Sequence, residues 1–180
     1  MSALVFIVNA ILQYLLVPAF LLRLLLPLVR ANMRNPLSQA VLRITNPLVL
    51  PLRRILRPIG RIDSASLLAV ILVQLVTTLI IMGMSGYIGG PAFIAKQASY
   101  DLIDLILQLY SFAVFIYVLL SWIAPATYSP AGDLLSSICE PILRPVRRLI
   151  PAIAGLDLTP VFVLIGLQAL RIALRSLYFH

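Results

Sequence analysis

The chain reads as an all-α membrane protein. Four transmembrane helices form two tandem repeats, each a helix, an amphipathic basic connector and a second helix, related by a pseudo-two-fold axis along the membrane normal. Three observations predict this. The composition is 62% hydrophobic and 11% charged, against about 45–50% and about 25% in soluble domains. Four apolar runs each reach the roughly 20 residues that cross a bilayer. The stretch Asn46-Pro47-Leu48-Val49-Leu50-Pro51-Leu52-Arg53-Arg54 also has a partner 94 positions on, Glu140-Pro141-Ile142-Leu143-Arg144-Pro145-Val146-Arg147-Arg148. The same offset carries Pro36 onto Pro130, Asp63 onto Asp157 and Gln74 onto Gln168. A fixed period of this kind marks a duplicated structural unit, and the two units divide as 1–90 and 91–180.

The first span, 3–29, is interrupted by Asn9, Gln13 and Arg23. It lacks a basic n-region and is too long for a signal-peptide core. Arg23, near its end, is expected to snorkel toward headgroups. The connector, 30–62, holds Arg30, Arg34, Arg43, Arg53, Arg54, Arg57 and Arg61. From Leu37 to Leu50 it places Ala40, Val41, Ile44 and Leu48 near one face and Gln39, Arg43 and Asn46 on another. This pattern predicts a helix lying in the membrane interface. Pro47, Pro51 and Pro58 are expected to prevent a long regular helix and to stiffen the linker. Asp63 suits the N-cap of the second span, 64–84, whose polar residues are Gln74, Thr77 and Thr78. Gly86 to Ser99 reads as a loop by its glycines and proline.

The third span, 100–123, carries Asp101, Asp104, Gln108 and Ser111 on one helical face. Trp122 and Tyr128 fit an aromatic interface belt. The second connector, 124–157, draws an apolar face from Leu134, Leu135 and Ile138. Asp157 is the second cap, with Thr159 and Pro160 in the first turn, where proline is tolerated. The last span, 158–177, carries Gln168, Arg171 and Arg175.

The net charge is +8, and ten of the fourteen basic residues lie in the connectors. The positive-inside rule therefore puts the connectors in the cytoplasm and both termini outside. Arg171 and Arg175 run against that trend. Taking Trp122 as level with Pro160, helical rise brings Arg175 near Asp104. Arg175 is thus expected to pair with Asp104 or Asp101, and Arg171 to bond carbonyls or polar side chains lower down.

Several chemistries are disfavoured. The single cysteine, Cys139, allows neither an internal disulfide nor a thiolate metal cluster. The single histidine, His180, is the last residue. No glycine-rich phosphate loop is present, and Asp63 and Asp157 read as caps rather than a catalytic pair. No enzyme activity, cofactor or metal is expected. Arg53, Arg54, Arg144, Arg147 and Arg148 have three readings: topology determinants, a grip on anionic lipid headgroups, or a dock for a protein partner. Nucleic acid is not needed to explain them, and self-association stays open. Asp101, Asp104, Gln74, Gln168, Arg171 and Arg175 are polar groups at membrane depth, read either as packing contacts or as a polar path.

Glu140, Pro141, Pro145, Arg147, Arg148 and Pro151, followed by Gly155, Asp157 and Pro160, resemble the motif of the YggT family of small bacterial membrane proteins. The first copy departs from it at Asn46, Arg57 and Ser66, in place of the glutamate and two of the prolines. The resemblance implies a bacterial inner-membrane protein with no catalytic residue set. It also implies an assembly or organising role linked to cell division, envelope growth, or osmotic and potassium adaptation. Chloroplast relatives include cytochrome assembly and nucleoid-partition factors. The alternative is a small channel or transporter component in ion homeostasis.

Overall fold

The computed structural model describes residues 3–60, 62–87, 89–123, 129–149 and 157–179. Among the described residues six helical segments follow in order: α1 (Ala3–Leu28), α2 (Pro36–Ile55), α3 (Ser64–Met84), α4 (Pro91–Ile123), α5 (Pro130–Leu149) and α6 (Thr159–Phe179). Helices α1, α3, α4 and α6 are long and apolar enough to span a membrane. Helices α2 and α5 are the connectors. Pro151, Tyr128 and His180 lie outside the described residues, as does the side chain of Trp122.

Helix α1 contains a π turn over Leu12–Leu16, with the Val17 amide bonded to the Leu12 carbonyl. Pro18 follows directly and has no N–H to donate, so the shift to a five-residue ladder absorbs its missing bond. Helix α4 starts at Pro91, well before the expected 100. Pro91 suits a first turn, and Ala92, Ala95 and Ala98 favour helix where a loop was expected.

The connectors also depart from expectation. Helix α2 runs through Pro47 and Pro51, and α5 runs through the equivalent Pro141 and Pro145. All four prolines are exposed. The carbonyls they leave unbonded therefore face outward, where water or headgroups can satisfy them. Each connector has 20 residues and a side-chain cap at the equivalent position. Asn35 accepts from the Leu37 amide and Ser129 from the Gly132 amide. The two N-termini meet: Asn35 Nδ2 donates to the Pro130 carbonyl at 2.7 Å and to Asp133 at 3.3 Å. After α2, Gly60 at φ +60° closes a turn in which Ile59 and Ile62 exchange backbone hydrogen bonds.

Both connectors pack beneath the spanning helices through matched positions. Thr45 and Cys139 are fully buried, as are Val49 and Leu143. Val49 joins Phe20, Ala65, Ala69 and Val70. Leu143 joins Leu26, Val114, Ile138 and Val163. The repeats differ on the next face. Ile138 is 2% exposed, whereas its counterpart Ile44 is 62% exposed, and Ala40 and Leu48 are open as well. The face of α2 turned to the protein is instead Ser38, Thr45 and Val49. Its apolar stripe is left for lipid.

That arrangement fixes an expected depth. A spin label at Ile44 or Ile55 should be relaxed by lipid-phase oxygen, and one at Gln39 by an aqueous relaxant. Equal accessibility at the three sites would contradict an interfacial α2. Cys139 will not compete for the label, because burial, with the Glu140 charge beside it, pushes its thiol up to about 12.

Within each repeat the two spans pack closely, α1 on α3 and α4 on α6. Between repeats α3 packs on α4, and α6 has no comparable contact with α1. A two-fold relation would demand both.

Candidate functional site

Three groups of polar residues emerge. The first is a repeated anchor at the connector ends. Arg53 donates to Asp63 through Nε at 3.1 Å and again through Nη2. Arg147 donates to Asp157 through Nε at 3.0 Å. These are equivalent residues of the two copies, and each pair ties the end of a connector to the start of the following span. Burial would raise the Asp63 carboxyl, but hydrogen bonds from Arg53 and Ser66 and the Arg53 charge hold it below the usual range. For Asp157, burial likewise opposes, and the Thr159 bonds and Arg147 win. Only Asp157 is a side-chain cap, accepting from the Thr159 amide at 2.9 Å; Asp63 flanks α3 without such a bond. Pro160 is buried in the first turn of α6. Glu140 lies 3.5 Å from Arg147.

The first member of each arginine pair is therefore an anchor. The second is not. Arg54 and Arg148 are exposed, as are Arg57 and Arg144, and no described carboxylate pairs with any of them. Exposed Ile55, Ile59 and Leu149 lie among them. Guanidinium beside bare aliphatic surface suits the boundary between acyl chains and headgroups.

The second group was not anticipated. Arg23 does not snorkel; it is 2% exposed. Its Nη1 donates to Thr45 Oγ1 at 2.8 Å, Asn46 Oδ1 at 2.7 Å and the Leu42 carbonyl at 3.1 Å. The prediction failed because α2 covers the end of α1, so its own carbonyl and side chains reach Arg23 before headgroups can. The signal was present: Asn46 stands where the second copy has Glu140, and Arg23 where it has Tyr117.

The third group lies toward the opposite end of the bundle. Arg171 grips Asp104 in a fork, Nε to Oδ1 at 2.8 Å and Nη2 to Oδ2 at 2.9 Å. Arg175, expected to make that pair, is exposed on α6. The carboxylate was foreseen and the arginine was one turn off. Tyr178 meets Ser99 and Tyr100 in the same register. That register puts Pro160 level with a residue near Phe115, about 10 Å from the level of Trp122 at 1.5 Å per residue. Gln74 and Gln168 also part company. Gln74 is buried and donates to Gln13 Oε1 and Thr78 Oγ1, both at 3.2 Å. Gln168 is exposed on α6, beside an open lateral groove.

Asp104 borders a cavity of about 360 Å³ between α1, α3 and α4. Its polar walls include Asn9, Gln13, Thr78, Gln97, Asp101 and Gln108. Asn9 and Gln13, four apart, were visible only as interruptions of an apolar run. Toward the connectors, Val17, Leu21 and Leu105 pack as an apolar layer.

The family described as CCB3/YggT matches residues 1–84 and 96–178, one match for each repeat. The chain belongs to the CCB3/YggT family. Among its relatives is an uncharacterised protein of Pseudomonas aeruginosa, PA0392, 44% identical over 86% of this chain and 79% of the relative. Another is the uncharacterised protein YggT of Escherichia coli, 30% identical over 98% of this chain and 91% of the relative. A Vibrio alginolyticus protein is 33% identical over 93% and 91% of the two chains. No solved structure matches the chain. Among the described residues this YggT-family chain has four helices long and apolar enough to span a membrane, as a multi-pass membrane protein would.

Proposed function

We propose that this is a non-enzymatic organising protein of the bacterial inner membrane. Its two connector helices lie on the cytoplasmic face and hold anionic lipid headgroups, gathering lipid or a membrane-assembly partner around the bundle. The observation that carries this reading is the division of labour within the arginine pairs. Arg53 and Arg147 are spent on Asp63 and Asp157, which holds the connector ends in place. Arg54, Arg57, Arg144 and Arg148 stay exposed beside bare aliphatic side chains. Topology needs charge on one side but no such anchoring. Links to cell division, envelope growth or osmotic adaptation come from family likeness and would act through this surface.

The test is lipid selectivity in mixed nanodiscs, read by native mass spectrometry. Each arginine near an anionic surface contributes about 1 kcal/mol. Replacing Arg54, Arg57, Arg144 and Arg148 with glutamine should therefore lower preference for phosphatidylglycerol over phosphatidylcholine by at least about tenfold. Lys96→Gln should leave it unchanged. Unchanged selectivity in a folded quadruple variant would end this reading. The channel alternative has the polar cavity in its favour, but the Val17–Leu21–Leu105 layer on its connector side favours a vestibule over a path.

A further inference from the structure

We propose that the vestibule between α1, α3 and α4 is a binding site for a small primary alkylammonium, with Asp101 as its counter-ion. This goes beyond the lipid surface and does not depend on it, because the two lie toward opposite ends of the bundle.

The two carboxylates in the wall are not equivalent. Asp104 is satisfied by the fork from Arg171. Asp101 accepts one hydrogen bond, from Gln97 Nε2 to Oδ1 at 2.8 Å, and has no cationic partner among the described residues. Arg175 and Lys96 are both exposed, and neither borders the cavity. A carboxylate at membrane depth without a fixed counter-charge stays ionised cheaply only with a mobile cation beside it, which makes Asp101 a place for one. A second observation lies next to the walls, at a residue bonded to two of them. Gln74 is 1% exposed, and its Oε1 is a buried acceptor with no partner. Its amide nitrogen is held by two wall residues, Gln13 and Thr78. An occupant that carries N–H donors suits a chamber so rich in acceptors.

Size and lining select the class. About 360 Å³ is roughly ten times the space of one water molecule and within the range of small-ligand sites. A bare metal ion would leave most of it to water. Tyr87 and Phe93 meet on the wall with ring centroids 5.2 Å apart and planes tilted by 50°, and Tyr14, Ile81, Met82 and Leu105 supply apolar surface. Aromatic faces attract organic ammonium groups, and the apolar part can receive a short carbon chain. With Asp104 already paired, a single positive charge matches the single free carboxylate. The lining reaches the α3–α4 loop at Ser85 and Tyr87, so the ligand enters from the side opposite the connectors.

The experiment is isothermal titration of the full chain in detergent with n-butylammonium chloride at constant ionic strength. Potassium chloride, sodium chloride and neutral n-butanol are titrated in parallel. Saturable binding of butylammonium alone is expected, weakened at least tenfold by Asp101→Asn and restored toward wild type by Asp101→Glu. Tyr87→Ala, at the wall, should weaken it without touching the carboxylate, and covers the case in which the Asp101 variants fail to fold. In the wild-type protein, butylammonium should also protect Asp101 from a hydrophobic carbodiimide, read by mass spectrometry. Absence of saturable binding would overturn the proposal, as would equal binding to Asp101→Asn or stronger binding of potassium or sodium. Loss of butylammonium binding with lipid selectivity intact would sink this site and leave the connector surface standing.

Discussion

Asp104→Asn is expected to destabilise the protein by about 2–3 kcal/mol, somewhat below the roughly 3–5 kcal/mol seen when one partner of a fully buried ion pair is removed. The discount reflects side chains that are 22% exposed for Asp104 and 29% for Arg171. The loss arises because asparagine cannot accept both arms of the guanidinium, which is left with its charge at membrane depth. Adding Arg171→Gln should cost little further, since the second substitution removes the charge the first one stranded. The resulting coupling should exceed about 1 kcal/mol. Arg175→Gln on its own should stay within about 0.5 kcal/mol, as for other exposed positions. Steric-trapping or denaturant titrations in bicelles would measure all four variants. Additive losses for Asp104 and Arg171 would show that the fork contributes nothing, and coupling of Asp104 to Arg175 would restore the pairing first expected from helical rise. Because position 104 corresponds to Ala10 of the first copy, and 171 to Thr77, the pair belongs to the second repeat alone. It fastens α4 to α6, which has no substantial contact with α1 to hold it.

Arg23→Ala should be at least as damaging, at about 3 kcal/mol or more, because each buried acceptor deprived of its donor costs about 1–3 kcal/mol. Asn46 Oδ1 loses its donor, and the Leu42 carbonyl, which keeps the bond from Thr45 Oγ1, and Thr45 Oγ1 itself each lose one partner. The effect should be local. Amide exchange across Pro36–Ile55 should accelerate, while Pro130–Leu149 keeps its protection, since α5 packs through Leu134, Ile138 and Leu143 and has Tyr117 at the position equivalent to Arg23. Arg23→Lys should fall between: the three bonds leave from one nitrogen, which an ammonium can reproduce, but the lysine stem is one atom short. Equal exchange in both connectors would mean that Arg23 supports the bundle as a whole and not α2 in particular.

These two residues mark where sequence and tertiary structure part. By itself the sequence determined the class, the four spans, the two repeats and the amphipathic, basic character of the connectors. Composition, apolar run length and a 94-residue period are properties of the chain that need no partner to be read. The intramembrane carboxylate at Asp104 was legible for the same reason: a charge at membrane depth demands a counter-charge wherever the helices settle. Which arginine answers it was not legible, because that depends on the axial offset of two helices, and an offset of about 10 Å is more than enough to exchange residues one turn apart. The fate of Arg23 depended on α2 folding back over α1. The course of α2 through Pro47 and Pro51 depended on which face was exposed, since an unbonded carbonyl is tolerable where it can be solvated and costly where it cannot. The unequal burial of Ile44 and Ile138, identical residues at equivalent positions, was decided by tertiary structure alone: the second connector packs against α4 and α6, and the first was left with its apolar stripe facing the lipid.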